Sequence, residues 1–575
     1  MRFTKTMRKG VSMILAAAMI SGLTACGGAK KEAAATDAAA VETTAASTTA
    51  ASTTVAETTK TQTEGSEKKE TAERVLRMDA MSNAGYPAPY LASSKGAGYA
   101  VLQYIFDTLV WKDDKGFVNY LAESYSVSDD NKTYTFKLRP GVKFNDGEPF
   151  TAEDVKFTFD YMTEHPYSWV STSSVKEVRV VDELTVEIEL NKVYVAFIAD
   201  VAANLLMLPK HIYEKVEDPT TYTEKDAFVG TGPMMLESYD AEAGVYTYVK
   251  NPNYFYGDVQ IDRLILSPYE DPKTALLNGD IDAATTTSYK QAVSMKGTDN
   301  ITVLEGQSLW LCRMYFNFDN EALATKEVRQ AISYAINRQE ILDKAFNGAG
   351  IAGTAGYVHP ESPWYNANVT VYDQDVEKAK TLLADAGAAD SNGDGILEFK
   401  GEPMSYELLI SDKDESMAEM LKAYLAEVGI ELTVKSTDDN TVKSLIQEGN
   451  FTIVANGHGS FGGDPKYMAC LATDTSGAAK VTTQGGTRWQ NDEYDRIFAE
   501  SLQELDQTKR EELVDRLQEI VADELPTIVL YYKSNASAYN NTVFDGFYYT
   551  MDGISSGIPY LYNKLILTTG TWKAE

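Results

Sequence analysis

The sequence predicts an α/β fold with one β-rich segment early in the chain. Three observations carry this. Across residues 326–526, amphipathic helical stripes alternate with strand-like runs, the pattern of an α/β layer. Across residues 116–204, polar and apolar residues alternate with a period of two, which marks half-buried strands. The chain has 575 residues, 44% hydrophobic and 24% charged, ordinary globular proportions. At about 150 residues per domain this allows three or four lobes. A core of that size needs no disulfide to hold it.

The elements follow in chain order. Residues 1–25 begin with Arg2, Lys5, Arg8 and Lys9 and no acid, continue as an apolar run over 11–20, and end in small residues. This is a secretory signal, with an apolar run short of the ~20 residues a membrane span needs. Leu23-Thr24-Ala25-Cys26 resembles the bacterial lipobox, in which the cysteine is diacylated and becomes the first residue of the mature chain. Two acyl chains suffice for a stable anchor. Residues 26–73 then form an Ala/Thr/Ser-rich stretch without an aromatic residue. Such a segment cannot offset the entropy of ordering and reads as a disordered tether.

In the body, Arg74-Val-Leu-Arg-Met78 reads as a first strand, and residues 99–110 as a helix with Val101, Leu102, Ile105, Phe106 and Leu109 on one face. Thr133-Tyr-Thr-Phe-Lys-Leu138 is a half-buried strand, and residues 178–190 form a hairpin around Asp182-Glu183. Thr151-Ala-Glu-Asp154 opens a helix as a variant capping box. Gly230-Thr-Gly-Pro233 is a turn. Helical stripes follow at Val328–Ile336, at Val376–Ala386 before Gly387, and at Met417–Val428 before Gly429, each glycine marking a stop. Strands lie at Glu431-Leu-Thr-Val-Lys435 and Phe451-Thr-Ile-Val454, and a further helix ends near Pro526.

Charge narrows the function. There are 84 Asp and Glu against 52 Lys and Arg, a formal charge of −32. Removing the signal takes away four positive charges and no acid, giving −36. Such a surface excludes nucleic acid as a partner and electrostatic docking on anionic lipid. Three cysteines and four histidines exclude zinc arrays and iron–sulfur clusters. Thirty-five tyrosines suit a protein that grips ligands through ring faces and hydroxyls, although β-rich cores also use them. No nucleophile elbow, His-Glu-x-x-His, phosphate loop or dinucleotide glycine motif is present, so no enzyme activity and no cofactor are expected.

A long run of residues resembles a known family. Leu121-Ala-Glu-Ser-Tyr125, and then Thr133 through Phe144-Asn-Asp-Gly-Glu-Pro-Phe150 to Val155, look like the signature of extracellular solute-binding proteins of the peptide/nickel type, family 5. Gly230-Thr-Gly-Pro233, Lys250-Asn-Pro-Asn-Tyr254, Val328-Arg-Gln-Ala-Ile-Ser-Tyr-Ala-Ile-Asn-Arg338 and Arg488-Trp-Gln-Asn491 follow in the family's order. The resemblance implies a two-lobed periplasmic-binding-protein-like (type II) fold with an additional β-rich domain inserted in the first lobe. With bounds placed at the shifts in composition along the chain, the first lobe would be assembled from 74–115, 205–310 and 527–575, with an inserted domain at 116–204 and a second lobe at 311–526. It further implies a monomeric receptor on the outer face of the cytoplasmic membrane, partnered by the permease and ATPase of an ABC importer. The expected ligand is a short peptide. A nickel or other metal chelate and an oligosaccharide remain as alternatives, and a surface sensor without import duty as a minor one.

Candidate ligand-binding residues follow from the need for a few polar groups among apolar walls. The segment Val454-Ala-Asn-Gly-His-Gly-Ser-Phe-Gly-Gly-Asp-Pro465 is glycine-rich after a strand. Peptide binders of the family place an aspartate here for the ligand's ammonium group. In this chain that position holds Phe461, with Asp464 as a substitute, and otherwise Asp464 fixes the turn before Pro465. His458 is a possible chelate contact or an ordinary hydrogen-bonding residue. Arg313 and Arg488 are candidates for gripping a carboxylate, or for internal salt bridges. Tyr86, Tyr99, Trp310 and Trp489 line the cleft or pack in the core. His165, His211 and His359 read as structural. Asp390, Asn392 and Asp394, with Gly395, fit the start of a calcium loop whose twelfth position is Gly401 rather than glutamate. Cys312 sits in an apolar run as a buried thiol, and no bridge to Cys470 is implied.

Overall fold

The computed structural model describes residues 72–80, 83–92, 95–286, 288–459, 463–472, 489–555 and 563–574, without the side chains of residues 307, 308 and 458. The signal, Cys26, nearly all of the tether, Phe461, Arg488 and the His458 side chain lie outside them. Among the described residues no helix is long and apolar enough to cross a membrane.

One eleven-stranded sheet runs through the body. Its order is Glu431–Thr437, Ser405–Ser411, Ile453–Gly459, Ile301–Phe316, Thr527–Asn540, Ala283–Ala284, Val75–Asp79, Arg263–Ser267, Val245–Lys250 and Met234–Asp240, and Gly350–Ala352 pairs with Thr527–Asn540 off this path. The two ends differ in core. One end packs Leu76, Met78, Tyr99, Trp111, Tyr248 and Leu264. The other packs Met314, Val328, Ile332, Leu408, Leu421 and Ile453. Two lobes therefore share one sheet, joined by the strands Ile301–Phe316 and Thr527–Asn540. These two are the long strands of the sheet, and the expected junction at 310–311 falls inside the first of them. They pair antiparallel from Ile301↔Asn540 to Gln307↔Ser534, slip, and resume at Leu311↔Tyr532. Such a slip bends the ladder locally.

A separate four-stranded antiparallel sheet is built from Ala122–Val127, Thr133–Leu138, Thr185–Leu190 and Val175–Asp182. It buries Phe136, Val186 and Ile188 against Val155 and Phe159 of the helix Ala152–Glu164. That helix starts as its sequence predicts. Thr151 accepts from Glu153 N, and Asp154 accepts from Thr151 N at 2.9 Å.

The stripes read from sequence are helices at Lys326–Ala335, Val376–Asp385 and Glu415–Ala426. One expectation needs correction. The early helix is Lys95–Leu102, not 99–110. The carbonyls of Tyr104 and Ile105 instead accept from Met234 N and Gly232 N, so the chain leaves the helix to meet a neighbouring segment. The apolar residues singled out there are buried all the same.

The motifs that carried the resemblance are scaffold. Arg329, fully buried, donates to the carbonyls of Leu323, Glu524 and Leu525, which closes the C-terminus of the helix Gln507–Glu524. Arg338 donates to the carbonyls of Val529, Ser333 and Tyr372. Asn251 Nδ2 donates to Gly232 O at 2.7 Å, tying two of the motifs together.

Candidate functional site

Two adjoining cavities lie between the lobes. The first, about 630 Å³, sits where the two long strands slip. Tyr289, Gly306, Tyr549 and Asp552 line it from the first lobe, Ile351, His359 and Glu361 from the second, and Leu309 and Lys533 from the two long strands that join them. We call it the hinge chamber. Asp114, Glu305, Glu361 and Asp552 make its wall acidic. Glu305 is engaged by Lys296 and by Tyr289 Oη at 2.8 Å. The second cavity, about 810 Å³, opens between the inserted β-rich segment and the second lobe. Phe117, Tyr125, Tyr194 and Ile198 face Trp364, Tyr467, Phe498 and Leu502 across it. We call it the outer chamber. Pro363, Gly463, Met551 and Asp552 border both. Each volume is of the size that holds a small ligand, roughly 300–1,000 Å³.

Among the described residues, the two sides approach one another closely at several points. A Cβ at Gly463, whose φ is +72°, would stand 3.0 Å from an Asp552 carboxylate oxygen. Glycine is thus required both by the backbone and by the close approach. Val195 N donates to Leu502 O at 3.1 Å. The Lys466 ammonium pairs with Asp200, which also accepts from Tyr194 Oη at 2.7 Å. The molecule is therefore in a closed arrangement.

The outer chamber is lined by three lysines. Lys95 begins the first helix, Lys112 lies on the short strand Val110–Lys112, and Lys466 comes from the second lobe. Burial pushes Lys95 and Lys112 down to about 8. Asp552 works against this at Lys112, while Lys95 adds to it, so the two ammonium groups feel one another. Burial and Lys95 lower Lys466 further, to about 7, and its ammonium pairs with Asp200. Lys112 is 3% exposed, with its ammonium 5.9 Å from the centre of the Phe117 ring. Among the described residues, neither Lys95 nor Lys112 has a carboxylate within ion-pair distance.

The residues singled out from sequence meet different fates. Asp464 lines the outer chamber, but Arg510 engages both of its carboxylate oxygens, at 2.8 and 2.7 Å. It also caps the turn Pro465–Cys470 by accepting from Lys466 N at 3.0 Å. It is already committed to a cation of the protein. Tyr99 is core, its hydroxyl donating to Asn204 O and its ring against Trp169. Trp489 is core, edge-on to Tyr494. Tyr86 packs on Tyr239 and Phe228, away from both chambers. Arg313 is fully buried, with Tyr315 and Tyr357 beside it at 5.1 and 6.0 Å. Trp310 stands one step behind the hinge chamber, its ring 5.6 Å from the Lys533 ammonium. It lies directly on Gly457, where an added Cβ would fall 1.8 Å from the ring. The glycine read as room for a ligand makes room for the protein's own tryptophan.

His359, read from sequence as structural, is buried and lines the hinge chamber. Its Nδ1 accepts from Glu361 N at 3.1 Å, which puts the ring proton on Nε2. Burial lowers its pKa, so the ring is neutral. His165 packs on Tyr161, and His211 pairs with Asp146 at 2.8 Å. Asp390, Asp394 and Glu398 form an acidic cluster, but Asp390 is occupied by Gly393 N and Gly395 N, and Asn392 donates to Glu398. Neither Cys312 nor Cys470 is in a disulfide, and Cys470 Sγ lies 3.2 Å from Tyr357 Oη. The missed residues carried no motif. Lys95, Lys112, Glu361, Lys533 and Asp552 are ordinary surface-type residues in sequence, brought together only by the fold.

Comparisons with known proteins agree with this architecture. The model of bacterial extracellular solute-binding proteins, family 5 Middle, matches residues 116–480. Heme-binding protein A of Haemophilus influenzae is 29% identical over 437 residues, covering 71% of this chain and 77% of the relative. The dipeptide-binding protein of Escherichia coli is 28% identical over 436 residues, covering 71% and 80%. The crystal structure of an ABC transporter substrate-binding protein from Listeria monocytogenes superposes with a TM-score of 0.73 at 23% identity, over 87% of this chain and 100% of that one.

Proposed function

The chain belongs to family 5 of the bacterial extracellular solute-binding proteins, the substrate-binding components of ABC transport, and we propose that it captures short peptides in the interlobe cleft. One observation carries the peptide reading. The cleft is acidic at the hinge chamber and carries lysines in the outer chamber, which matches a molecule with an ammonium at one end and a carboxylate at the other. Closure over such a ligand, driven by contacts made in the closed state, is what a permease would read. The role is capture and delivery, without chemical turnover. A division into a first lobe, an inserted β-rich domain and a second lobe is supported by three hydrophobic clusters, whose edges depart from the expected bounds: Ile528, Leu530 and Tyr531 pack with the second lobe rather than with 527–575 in the first, and Leu205, Met207 and Leu208 pack with the domain at 116–204. Lipid anchoring through Cys26 rests on the lipobox and the tether. The neutral His359, with its proton on Nε2, suits a carbonyl acceptor better than a metal, which favours a peptide over a chelate.

Native mass spectrometry of the full chain, purified from membranes without stripping, tests both parts. The expected spectrum carries the mass of a diacylglyceryl group that Cys26→Ser removes, and a ladder of peptide adducts lost on denaturation. A single adduct with a metal isotope pattern would overturn the peptide reading, and an unmodified Cys26 would overturn the anchor.

A further inference from the structure

Lys112 is a buried cation on the wall of an open cavity, and the protein supplies no carboxylate within ion-pair distance among its described residues. An isolated buried charge is unfavourable unless something pairs with it. Lys95 stands close enough to Lys112 to raise that cost rather than relieve it. The remaining acids of the chamber do not resolve this. Asp464 is held by Arg510, Asp200 is held by Lys466, and Asp552 acts on Lys112 from beyond contact. In a chain with a net charge of −32, two lysines lining one cavity without an ion-pair partner among the described residues are a local reversal of sign. The apolar wall opposite, formed by Trp364, Tyr467 and Phe498, lowers the local dielectric and strengthens any pairing made there.

We propose that the outer chamber is a carboxylate subsite, in which Lys95 and Lys112 hold an anionic group of the ligand while Lys466 stays paired with Asp200 across the cleft. The ligands taken are those with a free carboxylate at the end remote from the hinge chamber. Peptides blocked there are rejected. The direction in which a peptide lies, ammonium toward Glu361, Asp114 and Asp552, rests on the peptide reading above. The anion subsite itself does not.

The experiment is calorimetric titration of the full chain in detergent with Ala-Ala-Ala and with its C-terminal amide, together with a thermal-shift series with glutarate. The wild type is expected to bind the free acid at least about tenfold more tightly than the amide, the difference a charge-assisted contact makes. Lys95→Met and Lys112→Met each remove most of that difference and leave the amide unchanged. Glutarate raises the melting temperature of the wild type and not of the double variant. Equal binding of acid and amide by the wild type would overturn the subsite and leave the peptide reading standing. A response to glutarate that the two substitutions abolish, with no binding of either peptide, would uphold the subsite and overturn the peptide reading. No response to any of the three would overturn both.

Discussion

Two buried lysines of the first lobe are treated in opposite ways. Lys564 is fully buried with Asp107, also fully buried, as its ion-pair partner. It donates to Phe106 O at 3.1 Å and lies 4.0 Å from the centre of the Trp111 ring, while Asp107 accepts from Thr231 at 2.8 Å. Every part of that pair is satisfied by the protein. Lys112, beginning only a few residues along the chain from Asp107, is as deeply placed but has no such partner. The first arrangement ties the C-terminal segment into the core. The second lies on the cleft wall, where a ligand can complete it. Compensation thus separates scaffold from site among groups of the same chemistry and similar burial.

The largest expected effect breaks the compensated side. Lys564→Met leaves the Asp107 carboxylate buried without its cation. The loss should be about 3–5 kcal/mol of stability in urea unfolding, as for other broken buried pairs. Lys564→Met combined with Asp107→Leu should recover much of it. A single variant with wild-type stability would show that Asp107 does not need the pair.

Lys112→Met probes the uncompensated side, and the expected sign is opposite. The folded pKa of Lys112, about 8, lies below the ordinary lysine value of about 10.4, so between these values the unfolded chain binds more protons. The charged lysine therefore costs stability fully below pH 8, and the cost fades as the pH rises toward 10.4. The groups facing it are Asp552, which favours the charged form, and Lys95, which disfavours it. Replacement by methionine should stabilise the ligand-free protein by about 1–3 kcal/mol at pH 7. The gain should vanish near pH 10.5. A melting temperature that drops at pH 7, or a gain independent of pH, would count against an unmatched cation.

The sequence made the scaffold legible and left the site mostly hidden. Periodicity located the helices Lys326–Ala335, Val376–Asp385 and Glu415–Ala426 because each buries one stripe. The capping box at Thr151 was visible because both partners lie within four residues. The helix Lys95–Leu102 was misplaced because its end is set by Gly232 and Met234, far along the chain. The site suffered from the same cause throughout. Lys95, Lys112, Lys466 and Asp552 come from four separate segments, with no spacing to connect them. The residues that looked functional were conspicuous for other reasons. Asp464 answers to Arg510, and Gly457 to Trp310. The local Asp-Pro and glycine signals were real, but they reported turns and close packing rather than a ligand.

Lys466 is the intermediate case, and it gives the smallest effect. Its partner Asp200 lies across the cleft, so its compensation exists only while the lobes are together. Both side chains are partly exposed, at 30% and 22%, so solvent screens the pair. Asp200→Asn keeps an acceptor for Tyr194 Oη while removing the charge. The free chain should then spend more time open, seen as a larger radius of gyration in X-ray scattering. Peptide affinity should fall about two- to fivefold, the range of a screened pair of up to about 1 kcal/mol. The loss should shrink in high salt, because the wild type loses the same attraction there. A salt-independent loss would mean that Asp200 acts through packing, and that compensation across the cleft does not help to close it.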